Sequence, residues 1–173
     1  MRVADYIFTY LANYGIRHIF FVVGGGAMYL NDALKKEKRI KHICFHHEQA
    51  VAMAAEGYYR TSGRIGVICV TSGPGGTNAL TGILGAYLDS ASILVLSGQV
   101  KQETLKYGGL RQLGDQEINI IDIVKPITKY AKMITDSESI KYELPKAIRI
   151  ATKERPGPVW IDLPINLQRS LLS

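Results

Sequence analysis

One glutamate, Glu48, stands between a strand-like apolar run and a small-residue helix in "FHHEQAVAMAAEGYYRTSG", residues 45–63. In a helix's first turn a carboxylate offsets the dipole by a few tenths to about 1 kcal/mol, which is the plainest use for it. Val51, Ala54, Ala55 and Tyr58 of the same helix demand close packing, and burial disfavours the charged form of a carboxyl. A glutamate kept partly protonated can donate or exchange a proton. Two glycine-rich turns occupy equivalent positions, Gly24-Gly25-Gly26 and the "TSGPGG" of residues 71–76, each after an apolar run and before a helical pattern. Bare N–H groups at a helix start cradle anions. The sequence has no G-x-x-x-x-G-K-[ST], however, and the triple glycine continues Ala27-Met28-Tyr29 rather than G-x-G-x-x-G. That disfavours the P-loop and dinucleotide readings and leaves tight turns as the simplest alternative.

The elements that must position these residues alternate regularly. Ala4–Tyr14 places Ile7, Phe8, Leu11 and Tyr14 at helical spacing, with Gly15 as a C-cap. His18–Val23 is a strand without polar alternation, Ala27–Lys36 a helix, Ile40–Phe45 a strand, and Gln49–Ser62 a helix stopped by Gly63. Residues 65–71 form a second fully apolar strand, Thr77–Leu88 a helix, and 92–98 a third such strand. Lys101–Gly114 reads as a polar loop of functional length. A short helix at Glu117–Val124, a strand at Lys129–Ile134, a helix at Ser137–Thr152 and a strand at 158–164 follow. Pro145 is expected to start or kink the last helix, because an interior proline loses a hydrogen bond. Strands apolar on both faces, alternating with helices, specify an α/β fold of three layers, α/β/α, with a mostly parallel central sheet. In such a sheet ligands gather beyond the strands' carboxyl ends, where Glu48 and both glycine turns fall.

Composition narrows the function. With 173 residues, 47% hydrophobic and 21% charged, the chain suits one compact domain. A net charge of +6 and an isoelectric point near 9.3 invite a nucleic-acid reading. The basic cluster Lys35, Lys36, Lys38, Arg39 and Lys41 instead sits at a helix end without interleaved aromatics, so it reads as a solvated face and no nucleic-acid partner is expected. Cys44 and Cys69 lie in β-like runs without metal-ligand spacing and are expected to be buried, reduced thiols. No signal peptide or apolar run of about 20 residues is evident, which leaves the cytoplasm and no membrane partner. Residues 165–173, ending in "NLQRSLLS", read as the start of a linker.

Five ordered motifs, "FHHEQAVAMAAEGYYRTSG", "VTSGPGGTNALTGILGAYLDS", "LSGQV", "PITKYA" and "RPGPVWIDLP", resemble the amino-terminal, pyrimidine-binding domain of thiamine-diphosphate enzymes, closest to the acetolactate synthase group. The resemblance runs from about Ala4 to Pro164 and makes residues 1–173 one such domain, of the thiamine-diphosphate-binding fold. It implies that Glu48 hydrogen-bonds N1′ of the cofactor's aminopyrimidine and favours the imino tautomer, whose exocyclic nitrogen takes the proton from thiazolium C2. It implies that Gly25 lets the pyrimidine approach the backbone, that Thr71, Pro74 and Asn78 line the ring pocket, and that Gln116 lies near the reacting carbon. Gln116 also has a plain reading as a surface polar residue. His46 and His47 read as strand-end packing or hydrogen-bonding residues.

Departures leave the substrate open. Where acetolactate synthases commonly read Y-P-G-G-A, this chain has Val22-Val23-Gly24-Gly25-Gly26, and where they read A-F-Q-E it has Gly114-Asp115-Gln116-Glu117. The family's G-D-G with a downstream Asn, which holds Mg²⁺ against the diphosphate in a second domain, has no counterpart here. The chain alone is therefore expected to be inactive, part of a longer enzyme or a split subunit whose diphosphate domain is on a partner. Decarboxylation of a small 2-oxo acid, with possible ligation of the product to an acceptor, is the implied activity. A homodimer or homotetramer is the implied assembly, with the small-residue helices at Gln49 and Thr77 as contact candidates. A non-catalytic binding module and a nucleotide-binding module are the rival classes.

Overall fold

A computed structural model describes residues 1–105 and 110–173. Four residues of the expected Lys101–Gly114 loop, 106–109, lie outside them. The described residues form eight α-helices and six strands: α1 Val3–Tyr14, β1 His18–Phe21, α2 Met28–Lys36, β2 Lys41–Cys44, α3 Glu48–Ser62, β3 Gly66–Val70, α4 Pro74–Asn78, α5 Leu80–Leu88, β4 Ile93–Gln99, α6 Ile120–Val124, β5 Tyr130–Met133, α7 Ile140–Thr152, β6 Val159–Pro164 and α8 Ile165–Arg169. All strand pairs are parallel, in the order β2-β1-β3-β4-β6-β5.

Alternation along each strand divides the core into the two outer layers. Val67 and Cys69 of β3, Leu94 and Leu96 of β4, and Val159 and Ile161 of β6 pack with α1, α2, α7 and α8. Ile68 and Val70, Ile93 and Val95, and Trp160 face α3, α5 and α6. Connections running toward β5 carry their helices on the second face, and those running back toward β2 carry theirs on the first, as the common handedness of parallel crossovers requires. Burial pushes the Cys69 thiol up to about 12.

Helix ends follow local chemistry. Gly15 and Gly63 take left-handed φ of 105° and 68° and return N–H bonds to the last turns of α1 and α3. The helix expected at Thr77 begins earlier, because Pro74 at its first position needs no N–H partner and is preset for helical φ. Pro145 neither starts nor ends α7: it sits in the second turn, and the Lys141 carbonyl it leaves without an N–H belongs to a solvent-exposed residue.

Two expectations need correction. Cys44 is exposed, not buried, since β2 is an edge strand of the sheet and is largely exposed along its length. Both thiols are free. Residues 165–171 do not hang as a linker: Leu167 and Gln168 of α8 are buried, and Leu171 bridges Arg2. The basic cluster behaves as a solvated helix end, with Lys36 paired to Asp32 and Arg39 to Glu37, each at 2.7 Å.

Candidate active site

The strand order reverses between β1 and β3, whose next elements run in opposite directions, so the crevice of the sheet opens beyond the carboxyl ends of these two strands. Both glycine turns lie there; two contacts interlock them and a third folds the second turn on itself. A Cβ on Gly24 would stand 2.4 Å from Thr71 Cβ, one on Gly26 would stand 2.6 Å from Ser72 Oγ, and one on Gly75 would stand 2.6 Å from Thr71 Cγ2. Gly25 differs. Among the described residues nothing lies within 4 Å of the Cβ it lacks, so their packing leaves room there.

Gln168 of α8 fixes the first turn from beneath, donating from Nε2 to the Gly26 and Leu163 carbonyls at 2.6 and 2.8 Å. From the other side Gly98 of β4 approaches so closely that a Cβ would stand 2.2 Å from the Gly26 oxygen. Gln168 was hidden in the sequence by the polar look of its segment.

Glu48 opens α3 and is buried. Its Oε2 accepts a 3.0 Å hydrogen bond from Asn78 Nδ2 at the end of α4, and its Oε1 lies 3.6 Å from the missing Cβ of Gly75. The sequence-predicted Glu48, Thr71 and Asn78 are thus brought together around the second turn. Exposed Pro74 starts α4 beside them. Thr71 Oγ1 is buried and has no hydrogen-bond partner among the described residues. His47 caps α3, its Nδ1 accepting from Gln49 N–H at 3.1 Å, while His46 is exposed. That is the hydrogen-bonding role expected of a strand-end histidine.

Gln116 closes the crevice from the far side. It is exposed and takes a left-handed backbone with φ 58°, which costs a non-glycine residue about 1 kcal/mol. Its carbonyl sits over Gly73, also left-handed at φ 55°, where a Cβ would stand 2.3 Å from the Gln116 oxygen. An open cleft of about 630 Å³ is lined by Gly24–Gly26, Thr71, Ser72, Asp115 and Gln116, among others. Gly25, Thr71 and Gln116 therefore share one cavity, whereas Glu48, Pro74 and Asn78 do not line it and meet at the second turn instead.

The family described as "Thiamine pyrophosphate enzyme, N-terminal TPP binding domain" matches residues 1–123. The chain belongs to this family. It is 44% identical over 161 residues to the acetolactate synthase large subunit of Buchnera aphidicola subsp. Schizaphis graminum, covering 93% of this chain and 27% of that protein. The acetolactate synthase isozyme 3 large subunit of Escherichia coli is 39% identical over the same shares, and the chloroplastic acetolactate synthase of Arabidopsis thaliana is 35% identical over 97% of this chain and 24% of its own length. The chain spans about a quarter of the length of the curated relatives it matches. As a thiamine pyrophosphate-binding domain it carries its glycine turns and Glu48 at the crevice where α/β sheets bind ligands.

Proposed function

We propose that this chain is the pyrimidine-binding domain of an acetolactate synthase-like enzyme that decarboxylates a 2-oxo acid and ligates the product to an acceptor. One observation carries the reading: a buried glutamate, oriented by Asn78, at the second of two interlocked glycine turns. Two features fit an aminopyrimidine ring. Among the described residues Gly25 leaves an opening that a side chain would fill, and the buried Thr71 hydroxyl lacks a partner.

In this reading Glu48 holds and exchanges a proton at the ring's N1′, and Asn78 keeps the carboxyl aimed while Thr71 and Pro74 line the ring. The cofactor, thiamine diphosphate, supplies a nucleophilic carbon and an electron sink for decarboxylation. Gln116 stands on the substrate side, beside Asp115, whose charge suits a more polar substrate neighbour than an aromatic wall would. Mg²⁺ and the diphosphate belong to a second domain, so the chain by itself does not turn over.

Assembly follows from the second outer layer. The small-residue character of α3 and α5 is spent partly on packing within the domain, since a Cβ on Gly82 would stand 2.5 Å from Ala52 Cβ. Met53, Leu84, Tyr87 and Leu88 on the same helices remain exposed, which supports a homodimer or homotetramer formed through this face. Among the described residues no helix is long and apolar enough to cross a membrane, and a cytoplasmic location is the reading that goes with it.

The test is turnover of 2-oxo acids by the enzyme assembled with a diphosphate-binding domain, thiamine diphosphate and Mg²⁺. Glu48→Gln should abolish it, and retained turnover would defeat the assignment.

A further inference from the structure

A second buried carboxyl, which the proposed reaction does not use, lies beneath the Gln116 segment. Asp162 of β6 is 1% exposed and sits in a fully hydrogen-bonded chain. Trp160 Nε1 donates to Ser97 Oγ at 2.7 Å, and the Ser97 hydroxyl donates to Asp162 Oδ1 at 2.6 Å. Gln99 Nε2 donates to Asp162 Oδ2 at 3.0 Å. The same Nε2 donates to the Ile118 carbonyl at 2.9 Å, and Gln99 Oε1 accepts from Val100 N–H at 3.0 Å. One amide therefore ties residue 100, where the chain leaves β4, to residue 118, where it returns after Gln116.

The direction of these bonds is forced. Val100 N–H can only donate and the Ile118 carbonyl can only accept, so the Gln99 amide has one workable orientation, and that orientation turns N–H toward Asp162. Ser97 likewise spends its single proton on Asp162. Both carboxyl oxygens face donors, and a proton on either would oppose one of them. A cavity of about 180 Å³ beside the pair is lined by Gln99, Leu105, Glu117, Ile118, Asn119, Met133 and Asp162. Among the described residues Glu117 is the other charged group on it, and its Oε2 accepts from Leu113 and Gly114 N–H at 2.7 and 3.2 Å. From β5 the approach is by backbone, Ile134 N–H to the Asp162 carbonyl at 2.9 Å, and α6 presents Ile120 and Val124 to this face.

We propose that Gln99 is a positioning residue that latches both ends of the segment carrying Gln116, and that the ionised Asp162 carboxyl aims it. Its bearing on the reaction rests on the thiamine-diphosphate reading of the cleft; the latch itself does not. Burial pushes the Asp162 carboxyl up to about 7, against the lowering effect of its bonds from Ser97, Gln99 and the Leu163 backbone. The latch is thus engaged above neutrality and loosened below it.

Trp160, the one tryptophan of the chain, reports on Asp162 through Ser97. Its emission in the 173-residue chain should titrate with a near-neutral midpoint between about pH 5 and about pH 9, and should be flat in Asp162→Asn. Amide exchange gives the second readout. In Gln99→Met and Asp162→Asn, Val100 and residues 113–117 should exchange about tenfold faster or more, while α1 and α7 keep their protection. Unchanged protection at those amides, a loss spread evenly over the domain, or a wild-type emission flat across the range would overturn the latch. No cofactor enters these readouts, so failure of the thiamine-diphosphate reading would leave them intact.

Discussion

Glu48 and Asp162 are both buried carboxyls near the crevice ends of parallel strands, yet their surroundings are opposite. Asp162 is closed in by donors from Ser97, Gln99 and the Leu163 backbone, and its oxygens are committed. Glu48 accepts one side-chain bond, from Asn78, and lies against Gly75 of the turn whose Thr71 lines an open cleft; the Thr71 hydroxyl has no partner among the described residues. A carboxyl whose bonds are complete within the domain holds structure. One with oxygen to spare beside a cavity is available to a ligand.

The largest effect expected from this contrast is a pH dependence specific to Asp162. Its folded pKa of about 7 lies above the ordinary aspartate value of 3.8, so between these values the folded state holds a proton the unfolded chain has released. Asp162 therefore contributes stability below about pH 4 that is lost as pH rises through about 7, on the order of a few kcal/mol. Unfolding free energies measured by urea across this range should show that decline in the wild type and not in Asp162→Asn. An equal slope in both would remove Asp162 from the account.

Next in size is a pair of alanine substitutions in the first glycine turn. Gly24→Ala forces a methyl into Thr71 and should cost about 1–3 kcal/mol. Gly25→Ala meets nothing and should leave stability within about 0.5 kcal/mol, while weakening thiamine diphosphate binding in the assembled enzyme. Thermal unfolding beside cofactor titration separates the two. The smallest expected loss from a broken contact is in Asn78→Ala, which removes a hydrogen bond from the buried Glu48 carboxyl and should cost about 1 kcal/mol. Its effect should appear in cofactor activation, because Glu48 loses its aim.

The same contrast governs what could be read from the sequence. The layered α/β fold was legible because β3, β4 and β6 are apolar on both faces, which only a doubly covered sheet explains. The exposure of β2 was not: "IKHICF" looks like its neighbours, and only the strand order makes it an edge. Glu48 was conspicuous as a charge between a strand and a small-residue helix. Gln99 and Asp162 were hidden inside strand motifs, although Ser97 and Gln99, two apart in an otherwise apolar strand, put polar groups on one face and signalled a buried network. The bond from Asn78 to Glu48 crosses 30 residues, and the grip of Gln168 on Gly26 crosses 142. Such pairings are set by packing of separate layers, which local patterning does not encode.

The most direct measurement is deuterium exchange at thiazolium C2 of thiamine diphosphate, followed by NMR in the enzyme assembled with a diphosphate-binding domain. Glu48→Gln should slow it by at least about 10²-fold, the scale of a lost general acid–base group, with cofactor still bound. Exchange at the wild-type rate in that variant would contradict the role given to Glu48.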